Sequence, residues 1–300
     1  MIRQLFCIGL GYSAAAYIGA YGDRFDRICG TARSEAKQKI LTQTGIGGRE
    51  VASFVFDGGP SDELTEAMRN SSCVLVSAPP AVIAMLALAA FNFGSDPASP
   101  LSMVYLSSLG VYGDHGGAEI DENARLIPTS ERGRDRLAAE EAWLQFGQAT
   151  GSSIAILRLA GIYGPGRNAL VSVAEGEAKC IVKPGQVFNR IHVADIAQMI
   201  EAAFEHKASG VFNATDDEPA APQDVIAYAA KLLGQPPPPE IPYDVAKASM
   251  SPMARSFYAE CKRALNRKIK NELGVTLRYP NYRAGLDALF ASGDHKSGER

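Results

Sequence analysis

Residues 2–33, IRQLFCIGLGYSAAAYIGAYGDRFDRICGTAR, join a short apolar run to a glycine-rich turn, a run of small residues and a second apolar run. This order predicts a strand, a turn, a helix over Ala14–Tyr21 and a second strand. Gly9 permits a tight turn, Gly11 lets the backbone approach a pyrophosphate, and Ala14 lets the helix pack close to the strand. The helix N-terminus offers free N–H groups to an anion. The segment therefore predicts a βαβ unit that binds a mononucleotide.

Two other interpretations of this segment are open. Leu5–Gly22 is nearly free of charge and contains consecutive alanines, which is typical of a secretory signal peptide. However, glycines interrupt the run, only one basic residue precedes it, and a second strand-like run follows at once. A glycine turn of this kind also occurs by chance in other α/β proteins. The motif therefore needs support from the rest of the chain.

Composition and charge are ordinary for a soluble globular protein. The chain has 300 residues, of which 46% are hydrophobic and 21% charged, with a net charge of −3. This length suits one large α/β domain or a domain with a smaller lobe, and the charge gives no reason to expect nucleic acid or a membrane as partner. The cysteines show no C-x-x-C spacing, which predicts no metal site and a reducing, cytoplasmic environment. They are Cys7, Cys29, Cys73, Cys180 and Cys261.

Strand-like and helix-like segments alternate along the first half of the chain. Because strands that alternate with helices form parallel sheets covered on both faces, the pattern predicts an α/β fold with a doubly wound parallel sheet. Beyond Gly164 the alternation loosens. Predicted strands after the first two are Val51–Phe56, Cys73–Ser77, Leu101–Ser107, Ser153–Leu159 and Gly210–Ala214; predicted helices are Ser61–Asn70, Ala81–Phe93, Glu131–Gln148, Ala194–Glu205 and Pro222–Leu233.

Residues that follow the predicted strands are the candidates for ligand binding, because ligands bind beyond the carboxyl ends of parallel strands. After the second strand the chain offers Arg33 and Ser34 but no acidic residue of the kind that holds the ribose hydroxyls of NAD. A guanidinium and a hydroxyl suit a 2′-phosphate, so NADP is favoured over NAD. Asp57 is placed to accept a hydrogen bond from the amino group of the adenine. Alternatively, it only ends its strand and caps a turn. Ser77, after the fourth strand, is a further cofactor candidate.

Three later motifs follow the glycine turn in order: SSLGVYGD at Ser107–Asp114, LRLAGIYGPGR at Leu157–Arg167 and RIHVADIA at Arg190–Ala197. Together they resemble the extended short-chain dehydrogenase/reductase superfamily, which includes nucleotide-sugar epimerases and dehydratases. The likeness is closest to atypical bacterial members with a degenerate active site, and it extends to about residue 217. It implies an NAD(P)-binding Rossmann domain, residues 1–162 with a returning segment 188–215. It also implies a smaller C-terminal α/β substrate lobe, residues 163–187 and 216–300.

The resemblance assigns catalytic positions residue by residue. Ser108 matches the family's catalytic Ser/Thr, although such a serine also caps its own backbone in many strands. The family's Tyr-x-x-x-Lys falls on Arg132 and Arg136. Arginine stays protonated at neutral pH, so Arg132 cannot be the general acid or base, whereas Arg136 can still hold ribose or phosphate. The alternative is a salt-bridged surface helix in which Glu140 pairs with Arg136.

Substrate contacts are expected from Tyr112, Tyr163 and Arg167, and Arg167 is the candidate for a substrate anion because its turn follows the sixth strand. Tyr112, Tyr163, His192 and His115 are also considered as replacements for the missing tyrosine, and none stands out. A basic run in the C-terminal part is either a diphosphate contact or, more simply, a solvated helix face. It comprises Lys262, Arg263, Arg267, Lys268 and Lys270.

The sequence thus predicts an NADP-binding oxidoreductase or epimerase that acts on a small, sugar-like, phosphorylated or nucleotide-linked molecule. The alternative is a sensor that binds NADP(H) or a metabolite without turnover and signals through a partner. A third interpretation, a purely structural α/β protein, leaves the retained motifs unexplained. By analogy with the family, a homodimer through paired helices is expected, with Ala81–Phe93 or Glu131–Gln148 as the candidate helix.

Overall fold

The computed structural model of the chain describes residues 3–56, 61–80 and 101–294. Its helices and strands are, in chain order, β1 (Gln4–Ile8), α1 (Tyr12–Tyr21), β2 (Arg27–Ala32), α2 (Glu35–Thr44), β3 (Ala52–Val55), α3 (Asp62–Arg69), β4 (Cys73–Val76), β5 (Ser102–Ser108), β6 (Glu119–Ile120), α4 (Glu131–Thr150), β7 (Ser153–Leu159), β8 (Gly161–Tyr163), α5 (Ala169–Ala174), β9 (Cys180–Val182), β10 (Arg190–His192), α6 (Val193–Glu205), β11 (Gly210–Ala214), α7 (Pro222–Leu232), β12 (Glu240–Pro242), α8 (Tyr243–Ala246), α9 (Pro252–Tyr258), β13 (Arg263–Ala264), α10 (Arg267–Leu273) and α11 (Tyr282–Ala291).

A seven-stranded parallel sheet forms the centre of the fold, in the order β3-β2-β1-β4-β5-β7-β11. The predicted doubly wound sheet is therefore confirmed. All residues of β1 and β4 are buried, as expected for strands covered on both faces. The strand order reverses between β1 and β4, so the crevice beyond their carboxyl ends is where this topology binds ligands.

Two apolar layers cover the sheet. On one face, α1 and α6 pack together, and the buried Tyr17 hydroxyl of α1 donates to Glu201 Oε2 of α6 at 2.7 Å. On the other face, α3 and α4 contribute Leu64, Trp143 and Phe146 to a second cluster. Because neighbouring residues of a strand point to opposite faces, alternate side chains of β5 meet the helices of one face or of the other.

Outside the central sheet, short strands form three parallel pairs: β8 with β10, β9 with β12, and β6 with β13. A separate apolar cluster joins α5, α7 and α11, with Leu170, Val225 and Leu286 among its buried members. The pairing of β6 with β13 connects the loop after β5 to the C-terminal part of the chain. The division of the chain at residue 162 stays a prediction.

The largest departure from the predicted elements is α2, which the sequence presents only as a polar segment. Leu41 is its single buried residue, so it lacks the apolar periodicity by which a helix is recognised. The paired strands of two or three residues in the second half were likewise not predicted, because they are too short to show a period. The predicted helix Ala81–Phe93 lies outside the described residues. Within the described ranges, no helix combines the length and the apolar character needed to span a membrane.

Candidate functional site

The glycine turn after β1 is held between the ends of two neighbouring strands. Gly9 has a φ of +93°, and its N–H donates to Thr31 Oγ1 at the end of β2 at 2.8 Å. Its carbonyl accepts from Ser77 Oγ after β4 at 2.5 Å. A Cβ at Gly9 would lie 3.1 Å from the backbone nitrogen of Ala78. The position therefore needs glycine both for its left-handed backbone and for its close neighbours.

The N-terminus of α1 opens onto the crevice at the strand-order reversal. Gly11 is the N-cap, no side chain caps the helix, and a Cβ on Gly11 would meet nothing within 4 Å among the described residues. Ala14 is fully buried against the sheet, which brings the helix close to it. The helix begins at Tyr12, two residues earlier than predicted. Backbone N–H groups at such an end bind phosphate, so this cradle fits a dinucleotide pyrophosphate.

The residues at the end of β2 are the ones expected to contact the ribose of the cofactor. Arg33 is exposed, and Ser34 is the N-cap of α2, where its Oγ accepts the Lys37 N–H at 3.3 Å. The first carboxylate after β2 is the exposed Glu35 in the first turn of α2. Asp57 lies outside the described residues. The arrangement fits NAD(P), with the exposed guanidinium of Arg33 following β2.

Ser108 ends β5 and is half-buried, with its Oγ accepting the Gly110 N–H at 3.2 Å. The first turn of α4 lies directly against the loop that follows, since a Cβ on Gly133 would lie 2.9 Å from the carbonyl oxygen of Gly110. Ser130 caps α4 by accepting the Gly133 N–H at 3.1 Å. The close approach at Gly133 brings the N-terminal part of α4, with its arginines, to the end of β5.

The two arginines that replace the family's Tyr and Lys differ in their surroundings. Arg136 is half-buried and donates from Nη1 to the carbonyl oxygen of Leu106 in β5 at 2.9 Å. Arg132 is exposed and makes no hydrogen bond or ion pair with the residues that the structure describes. Burial raises the pKa of the Tyr105 hydroxyl, which faces α4, to about 12, and the charge of Arg136 opposes that rise. Arg136 is thus anchored to β5 at Leu106, two residues before Ser108, whereas Arg132 has no such anchor in the described part of the chain.

Glu140 does not pair with Arg136, and that expectation is wrong. Its carboxylate accepts two hydrogen bonds from Arg158 Nε, at 3.1 and 3.2 Å, and one from Nη2 at 2.8 Å. It also accepts the Ser107 hydroxyl at 2.5 Å. Burial alone would lower the pKa of Arg158, but its hydrogen bonds and charge interaction with Glu140 raise that pKa above the ordinary value. Sequence reasoning missed this cluster because β5, α4 and β7 contribute one member each.

Tyr112 lies above this cluster and is fully buried. Its hydroxyl donates to Asn213 Oδ1 at 2.7 Å, and the Arg158 guanidinium carbon lies 4.7 Å from its ring centre. Burial raises the pKa of Tyr112. The side chain therefore packs against the buried cluster and is not exposed to the crevice.

Tyr163 and His192 pack edge to face, with ring centres 5.1 Å apart. His192 Nδ1 accepts the Ala194 N–H at 3.1 Å and so caps α6. Burial, with a smaller contribution from Arg278, lowers the pKa of His192 to about 4, so the ring is neutral at pH 7. These contacts agree with a structural role for His192.

The turn that carries Arg167 touches the glycine turn. The Tyr12 hydroxyl donates to the carbonyl oxygen of Pro165 at 3.0 Å, and the Arg167 guanidinium carbon lies 6.0 Å from the Tyr12 ring centre. Arg167 is exposed. It therefore stands next to the N-terminus of α1, at the boundary between the predicted cofactor and substrate sites.

The predicted solvated helix face in the C-terminal part is wrong for three of its members. Lys262 donates to the carbonyl oxygen of Gly113 at 2.5 Å and pairs with Glu260 at 2.6 Å. Arg263 donates to Gly117, and Lys268 donates to the carbonyl oxygen of Val211 at 3.0 Å. These side chains fasten the C-terminal segment to the loop after β5 and to β11.

Comparison with known proteins agrees with this geometry. The model of the NAD dependent epimerase/dehydratase family matches residues 82–215. A functionally unknown conserved protein from Silicibacter pomeroyi DSS is 41% identical, with a TM-score of 0.83 over 97% of this chain and 99% of that one. The NAD complex of dTDP-glucose 4,6-dehydratase from Bacillus anthracis is 16% identical, with a TM-score of 0.75 over 100% of this chain and 98% of that one, which shows the shared fold.

A 3-diazoavenalumate denitrifying reductase from Streptomyces sp is 28% identical over 137 residues, which are 44% of this chain and 45% of that protein. The chain spans roughly half the length of the curated relatives it matches, 45% of one and 59% of another. These similarities agree with the glycine cradle, the strand order and the Ser107–Asp114 motif described above. Residues 82–215 therefore match the NAD dependent epimerase/dehydratase family, and the whole chain shares the fold of the Bacillus anthracis dehydratase.

Proposed function

We propose that this protein is an NAD(P)-dependent oxidoreductase that prefers NADP and reduces a carbonyl-like group of a small molecule. The observation that carries the proposal is the uncapped N-terminus of α1 at the strand-order reversal, two strands from Ser108. The pyrophosphate would lie on the N–H groups at Gly11 and the first turn of α1, and the 2′-phosphate would meet Arg33 and Ser34. When bound, the nicotinamide supplies or accepts a hydride.

The residues at the end of β5 favour reduction over epimerisation. Ser108 Oγ–H is placed to donate to a substrate oxygen, and Arg136 adds positive charge beside it, so both stabilise negative charge that develops on that oxygen. Neither releases a proton at neutral pH, so the proton that completes the reduction comes from water. Epimerisation requires the same group to remove and return a proton, and a tyrosine is lacking at the Arg132 position. The partial likeness to a named reductase supports the same choice.

Arg167 and Tyr163 complete the proposed site from the C-terminal side. Arg167, exposed above Tyr12, is in reach of the cofactor phosphates or of a substrate anion. Tyr112 contributes indirectly, because it orders the loop after Ser108 through its hydrogen bond to Asn213.

A homodimer through α4 stays a prediction, to be checked by light scattering of the eluted protein.

Cofactor binding is tested by titrating NADPH and NADH and following the nicotinamide fluorescence. We expect saturable binding, tighter for NADPH, and a loss of at least about tenfold for NADPH but not for NADH in Arg33→Ala, since one charge-assisted contact contributes roughly 1.5–3 kcal/mol. Arg134→Ala, an exposed arginine on α4, is the charge-matched control. Equal losses for both nucleotides would remove Arg33 from the 2′-phosphate site, and no binding of either would end the proposal.

The second candidate is a sensor that binds NADP(H) without turnover. The exposed Arg132, at the position of the family's proton donor, favours it. NADPH oxidation in the presence of a panel of aldehydes, ketones and nucleotide sugars separates the two. Turnover that falls in Ser108→Ala supports the reductase, whereas tight NADPH binding with no turnover on any compound supports the sensor.

A further inference from the structure

We propose that a cavity in the C-terminal part of the chain binds a small, largely apolar carboxylate, with the Arg190 guanidinium as its ionic partner. As a statement about binding, the proposal stands on the cavity alone. As a statement about the substrate class of the reductase, it rests on the proposed function. The cavity lies beyond the carboxyl end of β7, and β7 pairs with β5 at Ser108 and Leu159, so both sites share one edge of the sheet.

The cavity has a volume of about 250 Å³, which is the space of a small molecule. Tyr163 and Tyr282 contribute aromatic rings, and Ala169, Val225 and Ile226 stand among its aliphatic walls. Most of the lining is apolar. Such walls favour a ligand whose body is a ring or a short hydrocarbon chain.

Arg190 is the half-buried cation of this cavity. Its Nη1 donates to the carbonyl oxygens of Phe188 and Ala220, both at 3.0 Å, which holds the guanidinium in one orientation. No carboxylate of the described residues forms an ion pair with it. Desolvation by burial lowers the pKa of Arg190, which records the cost of placing this cation among apolar walls. Buried charges are normally paired, so an anion from outside the chain is the missing partner.

Asp216 is the acidic group that most affects Arg190, and the two form no ion pair in the described part of the chain. Asp216 is 1% exposed, and its Oδ2 has no hydrogen-bond partner among the described residues. Burial raises the pKa of Asp216 to about 8, although the backbone N–H of Glu218 and the charge of Arg190 oppose that rise. Asp216 is therefore mainly protonated at pH 7. Arg190 keeps its positive charge for a ligand.

The chemistry of the lining selects a carboxylate. A guanidinium binds a carboxylate through parallel hydrogen bonds, and one fixed guanidinium matches one negative charge. Lys179 is exposed and is the only other cation among the described residues of the lining, so a phosphate dianion would find few donors inside. The rings of Tyr163 and Tyr282 in the lining suit a planar, unsaturated or aromatic acid.

The test uses the full chain without cofactor and titrates trans-cinnamate and octanoate by isothermal calorimetry. Cinnamamide, which has the shape of cinnamate without its charge, is the ligand control, and inorganic phosphate is the anion control. We expect saturable binding of at least one carboxylate, at least tenfold weaker binding of cinnamamide than of cinnamate, and weaker binding of phosphate. Arg190→Lys should weaken the carboxylate at least tenfold.

Ile226→Trp is the second variant, because it fills the cavity from α7 and leaves the hydrogen bonds of Arg190 intact. It should abolish carboxylate binding and leave NADPH affinity unchanged, while Ile40→Trp, at an exposed isoleucine of α2, should change neither. No binding of either acid, equal binding of cinnamate and cinnamamide, tighter binding of phosphate, or full binding by Ile226→Trp would each overturn the proposal. Loss of NADPH binding alone would refute the proposed function and leave this site standing.

Discussion

Glu140→Gln tests the buried cluster beneath the candidate site. Glu140 and Arg158 are 2% and 3% exposed, and the carboxylate takes three hydrogen bonds from the guanidinium besides the Ser107 hydroxyl. Removing one partner of such a pair leaves an uncompensated buried charge, which costs about 3–5 kcal/mol of unfolding free energy. Because glutamine keeps one acceptor oxygen, we expect the lower end, about 3 kcal/mol.

Urea denaturation measures this change through the fluorescence of Trp143, the only tryptophan of the chain, which is buried on the same helix. Glu141→Gln, at the exposed neighbouring position, is the control and should change the free energy of unfolding by less than about 0.5 kcal/mol. The double variant Glu140→Leu with Arg158→Met leaves no charge behind. It should be more stable than Glu140→Leu alone.

A loss below about 1 kcal/mol in Glu140→Gln would show that the pair contributes little beyond its packing. A double variant whose loss equals the sum of the two single losses would show that the two charges are not coupled. Either result would contradict the account of Glu140 given above.

Three further predictions concern single positions. Gly9→Ala forces a side chain onto a φ of +93° and to 3.1 Å from Ala78 N, so a loss of roughly 1–3 kcal/mol and much weaker NADPH binding are expected from denaturation and titration. Asp216 has a folded-state pKa of about 8, above its ordinary 3.8, so its contribution to stability is present below pH 4 and is lost as the pH rises to 8. The gain in melting temperature from Asp216→Asn should therefore grow between pH 4 and pH 8, and a gain that is constant over this range would contradict the prediction. Tyr17→Phe removes the buried bond to Glu201, and an unfolding free energy within about 0.5 kcal/mol of wild type would refute the expected loss of roughly 1.5–3 kcal/mol.

The sheet was predictable because its signals are local. The run at β1, the glycines at Gly9 and Gly11 and the small Ala14 each mark their place through neighbours in sequence. The loop motif at Ser107–Asp114 located the end of β5 to within one residue. The polar helix α2 escaped because a helix with one buried residue carries no apolar stripe, although its Ser34 cap and Gly45 end are helix signals.

The electrostatic partners could not be predicted, because they depend on which strand faces come together. Sequence spacing offered Arg136 as the partner of Glu140, four residues away on one helix face. The fold instead places Glu140 over β7, where Arg158 points to the same layer. Arg190 was part of a recognised motif, but its cavity is built by α5, α7 and α11, whose meeting no local pattern specifies.

The bond between Lys262 and Gly113 has a consequence for synthesis of the chain. The two residues are 149 positions apart. At about 5–20 residues per second, a ribosome needs roughly 7–30 s to make the segment between them. During that interval the loop that follows Ser108 lacks both the β6–β13 pairing and the hydrogen bond from Lys262. The strands of the sheet up to β7 are synthesised within the same interval or before it. All residues of the nucleotide cradle are therefore synthesised several seconds before the residues that secure the neighbouring loop.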